Sequence, residues 1–369
     1  MVSSLGHDVI TSCATARSGI TRPSGFEEFV VADSREVVPD ALTVHAVDTL
    51  TYGFSGKARL LRLIEAGLRD CLKQCPDKPW LQARTTFYIS LPSWVRPYTG
   101  APLIADEERR TMFEEQASEA PRGDDLALAK KLVLQAADLS EWGNTPEVSC
   151  VFVSGTTGTA EAVDQASKDL KSGSTELAVI VAVDSWIDVP LASWLKETGR
   201  LKTPDLPVGL QLGEACVVLI IEQERRSQHR NATVLGKLVQ VVFDQEERFL
   251  LTGQVPVGRV PANLLNSLHN TAGWGESSPW IISDHNGETY RATEWANTLY
   301  HLSRLSDVYR NSNIWLPALA FGDTGSASGA VALCMALRAF DRGYAPHPIA
   351  VVASSSDGPL RSAMVVGQP

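Results

Sequence analysis

The 369-residue chain is 44% hydrophobic and 21% charged, an ordinary globular composition at a length that suits one large domain or two fused halves. A formal net charge of −10 leaves no basic stripe of the kind a nucleic-acid binder shows, so no nucleic-acid partner is expected. No apolar run approaches the length of a membrane span, and Met1-Val2-Ser3-Ser4-Leu5-Gly6 lacks the charged and apolar regions of a signal peptide, which predicts a cytoplasmic protein with no membrane partner.

Residues 1–20 read as a turn and a short helix. Residues 41–51 read as a weak strand. From 56 to 72, Leu60, Leu61, Leu63, Ile64 and Leu68 recur at helical spacing with Arg and Glu between them. Residues 85–91 form a strand, and 106–118 and 124–137 read as helices inserted around the mouth of a site. Residues 147–153 form a buried strand. After a loop at 204–207, residues 210–222 are apolar and β-rich, with 232–243 as the expected antiparallel partner. A helix at 261–268, a strand at 280–283, a helix at 291–305 and a strand pair at 349–353 and 361–366 complete the chain. The run Arg225-Arg226-Ser227-Gln228-His229-Arg230 reads as a solvated turn.

The six cysteines, Cys13, Cys71, Cys75, Cys150, Cys216 and Cys334, form no C-x-x-C pair, which is reduced usage, and Cys150, Cys216 and Cys334 lie in apolar runs as small core residues. The seven histidines show no metal-ligand spacing, so neither metal nor cofactor is expected.

One short motif occurs twice. Gly155-Thr156-Thr157-Gly158-Thr159-Ala160 reappears as Gly322-Asp323-Thr324-Gly325-Ser326-Ala327. An apolar run precedes each copy, at 148–153 and 314–321; a helical stretch and an apolar strand follow each. This repeat implies two similar α/β halves, 1–222 (with an insertion at about 92–145) and 223–369, meeting near one site. Glycine allows close backbone approach, and small hydroxyl residues cap the helix that follows, whose N-terminus favours negative charge. Each turn therefore suits either a plain helix cap or a site for a nucleophile or an oxyanion.

In order along the chain, these motifs resemble the β-ketoacyl synthase branch of the thiolase-fold superfamily. Leu5-Gly6-His7-Asp8-Val9 with Ser18-Gly19-Ile20 resembles the family's opening loop and first helix. Residues 151–160 lie where the family places its nucleophilic cysteine. Gly213-Glu214-Ala215-Cys216 resembles a Gly-Glu-Gly-Ala strand, and Asp284-His285-Asn286-Gly287-Glu288-Thr289 the first histidine loop. Gly322 to Gly329 resembles the second histidine turn, and Ser354 to Gly358 stands at the final Gly-rich loop. The resemblance implies a five-layer αβαβα fold with two superimposable halves, Thr157 and Thr324 in equivalent places, and a homodimer in which strand 147–153 pairs with its copy.

The departures shape the functional expectation. The nucleophile position holds Thr157, or Thr156 in a register one residue earlier; His285 remains, and the second histidine is Asp323, an acceptor when ionised. The family usually has a strand before its opening loop, and Met1 stands where that strand should end. Thr157, His285 and Asp323 are the candidate catalytic positions, in a Thr-His-Asp arrangement that competes with a purely structural role for each. Thr156, Gly158, Thr324, Gly325 and Ser355 are the candidate substrate-binding positions. Arg291 is expected to pair with Glu294 or Glu288, and Trp274, Trp280 and Trp295 to belong to the core or the dimer interface. The reading is a degenerate synthase-like protein that binds or assists rather than condenses. An acyl-carrier protein or an effector of a bacterial type VI secretion cluster is the expected partner. A thioester hydrolase or transferase, and an inactive partner like a chain-length factor, are the alternatives.

Overall fold

The computed structural model describes the whole chain except residues 33, 35–38, 120–122 and 273–277 and the side chains of 270–272. Trp274 lies outside the described residues. The first half runs β1 (Val2–Ser3), α1 (Val9–Arg17), β2 (Ser24–Val31), β3 (Asp40–Val44), α2 (Asp48–Thr51), α3 (Gly56–Gln74), β4 (Thr85–Ser90), α4 (Glu107–Ser118), α5 (Asp125–Ser140), β5 (Glu147–Phe152), α6 (Gly158–Ser172), β6 (Leu177–Ser185), α7 (Val189–Glu197) and β7 (Glu214–Glu222). The second half runs α8 (Glu224–His229), β8 (Lys237–Gln245), α9 (Arg259–Ala272), β9 (Trp280–Ser283), α10 (Thr289–Leu305), β10 (Asn313–Trp315), α11 (Ala318–Phe321), α12 (Ser328–Asp341), β11 (Ile349–Ser355) and β12 (Leu360–Gly367).

The duplication is explicit in the sheets. One has the order β1-β7-β6-β4-β5 and the other β8-β12-β11-β9-β10. Strand by strand the senses agree: β4 runs parallel to β5 and β6 as β9 does to β10 and β11, while β7 and β12 are antiparallel to both their neighbours. Strand alternation then builds the layers. Phe87 and Ile89 of β4 and Val179 and Val181 of β6 face α3 and α5, while Tyr88 and Ile180 face the opposite way, onto α6 and α12. Trp280 and Ile282 of β9 join that same central cluster, and Ile281 and Val351 turn outward to α9. The result is the five-layer αβαβα stack, with α6 and α12 sandwiched between the sheets.

Several sequence expectations are corrected. Residues 232–243 do not pair with 210–222: β7 already has β6 and β1 on its two sides, and β8 pairs with β12. The strand expected at 41–51 stops at Val44, and α2 begins at Asp48. The run 314–321 divides into β10 and the short helix α11. Two residues of β1 pair antiparallel with β7 at Val2↔Cys216, beyond Met1, where the family's edge strand was expected to end. The helix at 124–137 is not at a site mouth, because α5 buries Ala129, Leu132, Val133 and Ala136 in the core it shares with α3. The basic run 225–230 is ion-paired rather than free, with Arg226 and Arg230 both on Glu222. Strand β5 is a sheet edge on which Val148 alone is buried, so Cys150 is half-buried rather than enclosed.

The repeat itself is shifted. Each half places a 3₁₀ turn before its central helix, Gly155–Thr157 before α6 and Gly325–Ala327 before α12. Both turns open on a glycine with positive φ, 62° at Gly155 and 51° at Gly325. Gly155 therefore corresponds to Gly325, not to Gly322, and Thr157 corresponds to Ala327, not to Thr324. The sequence match of GTTGTA to GDTGSA is out of structural register by three residues.

Candidate functional site

The two turns meet at the seam. The hydroxyls of Ser90 and Thr159 both donate to the Ser326 carbonyl, at 3.0 and 3.1 Å. A Cβ at Gly158 would run into Ser90 Oγ of β4, and one at Gly329 would press on Thr159 of α6, so these glycines let α6 approach the sheet and α12 approach α6. Gly325 is constrained still more: it combines positive φ with a position where a Cβ would fall on Asp184 Oδ2. That Asp184 oxygen accepts from Ser326 N at 2.8 Å and from Arg96 at 2.8 Å, so Asp184 caps the second turn from the first half.

Thr157 is fully buried, and its hydroxyl donates to the Ser154 carbonyl at 3.0 Å. A proton engaged with a carbonyl has no base to leave to, so the hydroxyl is unactivated in this geometry. Thr156 reaches across the seam instead, donating to the Ser355 carbonyl at 2.8 Å. Ser355 is a backbone hub: its carbonyl also takes Arg291, and its N–H donates to Asp284 Oδ2 at 2.7 Å. Thr156 and Ser355 are thus brought together, through the main-chain carbonyl rather than the side chain of Ser355.

Asp323, which the sequence resemblance sets at the second-histidine position, is buried. Its Oδ1 accepts from the Trp186 indole at 3.0 Å and from Gly325 N at 2.6 Å, and its Oδ2 accepts from the Asn286 amide at 2.6 Å. Burial pushes its pKa up to about 6, against the pull of those donors. Three donors converge here, so an acceptor fits where a neutral histidine, with one acceptor nitrogen, would not satisfy them. Thr324 pairs its hydroxyl with Ser328 Oγ at 3.0 Å.

His285 stands apart. Its Nδ1 lies 3.5 Å from Gly287 N, a local loop contact, and burial lowers its pKa below the usual value, which keeps the ring neutral. Among the described residues no hydrogen bond joins Thr157, His285 and Asp323. The loop around it is organised by ion pairs in which Arg200 and Arg361, which the sequence did not single out, take part. Glu288 is held bidentately by Arg200 at 2.6 and 3.2 Å, and Arg200 also reaches Asp357 at 2.9 Å. Arg291 pairs with Asp357 at 2.8 Å, not with Glu294 or Glu288 as expected; Glu294 instead takes the fully buried Arg361 at 2.8 and 3.0 Å. Asp357 is held below the usual carboxylate range because the two guanidiniums outweigh its burial. Trp280 is buried in the core as expected, and Trp295 packs partly buried against α9's cluster.

Two cavities border this loop. One, lined by His285, Arg291, Trp295, Ser354 and Ser362 among others, leaves about 20 Å³ open to a water-sized sphere, room for little more than a water molecule. The other, lined by Asp284, Gly322, Asp323 and Thr324, leaves about 10 Å³. Neither is lined by Thr156 or Thr157. Among the described residues no cluster of three or more His, Cys, Asp or Glu could hold a metal ion, and no helix is long and apolar enough to cross a membrane.

With sheet order, layers and seam established, solved structures can be compared. An oxazolomycin ketosynthase domain from Streptomyces albus JA3453 aligns at TM-score 0.58 and 14% identity, covering 85% of this chain and 59% of that one. The ishigamide ketosynthase/chain length factor aligns at TM-score 0.63 and 15% identity, covering 100% and 97%. A type II PKS acyl-carrier protein in complex with its ketosynthase, bound to the hexaketide, aligns at TM-score 0.71 and 12% identity, again covering 100% and 97%. The chain has the thiolase-like fold of the ketosynthases. No family model matches the sequence, and no curated protein matches it at a significant level. This ketosynthase-fold chain spans only 59% of the oxazolomycin domain's length.

Proposed function

We propose that this ketosynthase-like protein lacks condensing activity and acts as a binding or accessory subunit. The observation that carries the reading is the turn before α6. It presents no cysteine, and its buried Thr157 hydroxyl is spent on the Ser154 carbonyl. Asp323, with both oxygens engaged by three donors, supports a structural role for the second-histidine position. The nearby cavities are too small for an acyl chain. Incubation with acyl and malonyl thioesters is expected to give no covalent acyl-protein and no ketoacyl product by intact-mass spectrometry. An acyl adduct on Thr156 or Thr157 that His285→Ala abolishes would replace this reading with a hydrolase or transferase using Thr157, His285 and Asp323.

A second reading, a chain-length-factor-like partner of an active synthase, is favoured by the likeness to a ketosynthase/chain length factor across nearly its full length. The partner class follows from which reading holds. A solved neighbour carries an acyl-carrier protein on its ketosynthase, so a carrier protein suits the second reading. An effector of a type VI secretion cluster suits the first, on the resemblance of the Asp284 to Trp295 stretch. Genes adjacent to this one discriminate: carrier-protein and synthase genes on one side, secretion components on the other.

The unpaired edge of β5 supports a two-fold dimer. Cys150, Val151 and Phe152 on that edge are half-exposed, which is the pattern of a strand awaiting a partner. Light scattering is expected to report twice the chain mass of 39.9 kDa at micromolar concentration. A monomer under those conditions would remove the dimer from the proposal.

A further inference from the structure

The end of α3 carries a pair of thiols that the seam does not use. Cys71 lies on the last turn of α3 and is buried against the Val179 and Trp80 core, whereas Cys75, just past the helix, is half-buried. Pro76 cannot continue the helix and stops it here. The Cys75 N–H still donates to the Cys71 carbonyl at 2.9 Å, so the two residues keep helical i, i+4 spacing and share one face. That spacing separates their Cα atoms by roughly 6 Å, within a disulfide's Cα span, and helical Cβ atoms at i, i+4 lie about 5–6 Å apart, so bridging draws Cys75, the non-helical C-cap residue, about 1–2 Å toward Cys71.

Their surroundings make them unequal. Arg230, held by Glu222 and by Asp77 two residues past Cys75, brings a positive charge to that end of the helix. Donation from the Cys71 thiol lowers the Cys75 pKa against its burial, and the same contact with burial raises that of Cys71. The other enclosed thiols differ: burial pushes Cys216 up to about 12 and Cys334 up to about 11.

We propose that Cys71 and Cys75 form a peroxide-sensitive dithiol site, with Cys75 the attacking and Cys71 the resolving residue. In the first step the Cys75 thiolate attacks a hydroperoxide oxygen. The O–O bond breaks, a sulfenic acid forms, and the departing alkoxide or hydroxide takes up a proton. In the second step the Cys71 sulfur attacks the sulfenic sulfur, the S–O bond breaks, and water leaves with the Cys71 proton. The two thiols lose two electrons and two hydrogens, and the peroxide is reduced to an alcohol, or to water, plus water. A dithiol reductant reverses it. This assignment is independent of whether the seam is catalytic.

Hydrogen peroxide treatment of the folded full chain, then alkylation and non-reducing trypsin digestion, tests it. Lys73 lies between the two cysteines, so the bridge appears as residues 70–73 cross-linked to residues 74–84, two hydrogens lighter than the separate peptides and split by dithiothreitol. In Cys71→Ala the expected product is a Cys75 sulfenic acid trapped by dimedone; in Cys75→Ser, Cys71 is expected to stay reduced. The proposal falls if Cys71 remains fully alkylatable after denaturation while Cys75 carries two added oxygens, or if Cys150 is oxidised while the pair stays reduced.

Discussion

Replacing Arg200 by alanine is expected to destabilise the protein by about 3–5 kcal/mol, because it leaves the buried Glu288 carboxylate without its counter-charge and takes one of two arginines from the partly exposed Asp357. Arg200 belongs to the first half and closes on Glu288 and Asp357 of the second, with side-chain exposure of only 4%. Glu288 depends on it for both oxygens, although Asn286 adds a bond at 2.8 Å; Asp357 keeps only Arg291. The measurement is the urea unfolding midpoint at fixed protein concentration, since a dimer links stability to concentration. Arg109→Ala is the surface control: its pair with Glu197 is 3.5 Å long and its side chain 69% exposed, so about 0–1 kcal/mol is expected. A cost for Arg200→Ala as small as the control's would mean that water, not Arg200, solvates Glu288 and Asp357.

This network shows where sequence reading stops. Most strands of both central sheets were legible because their apolar runs are continuous and bounded, as β6 and β11 show, whereas the two-residue β1 and the three-residue β10 were not. Pairing was less so: residues 232–243 look like a hairpin partner of 210–222, and only the occupancy of both β7 edges sends β8 to the other sheet. The duplicated motif revealed two halves but misaligned them, because GxTGxA is compatible with two registers, and the place of the 3₁₀ turn before each central helix, not the letter pattern or the positive φ that Gly322 shares with Gly325, selects one. Of the candidate site, the sequence identified Thr156, Ser355, Asp323 and the polar loop at Asp284, all of which meet at the seam. It could not find Arg200, Arg361, Trp186 or Asp184. Their partners lie far along the chain, 88 and 157 residues from Arg200 to Glu288 and Asp357, and no local spacing marks such a pair.

The same seam is expected to give the protein an unusual loss of stability as pH rises from about 4 to about 6. Asp323 titrates near 6 in the folded chain, against an ordinary value of 3.8, because burial disfavours its charge. Between those values the native state holds a proton that the unfolded chain has released, so unfolding free energy falls with rising pH and is flat above about 6. The gap corresponds to about 3 kcal/mol. Asp284, also raised by burial, acts in the same direction; Asp357, held low by its two arginines, and His285, lowered by burial, act in the opposite one. The net profile therefore mixes signs, and the Asp323 contribution is isolated by difference. Asp323→Asn removes the titration while keeping a carbonyl oxygen for Trp186 and Gly325 N, at the expense of facing one amide NH₂ toward Asn286. Unfolding curves measured from pH 4 to 7 should show a wild-type-minus-variant difference that declines by about 3 kcal/mol and levels off near pH 6. A difference that stays constant across that range would place the Asp323 pKa at its ordinary value and would mean the seam is open to water, which would restore the Thr157 turn as a site that solvent, and a substrate, can reach.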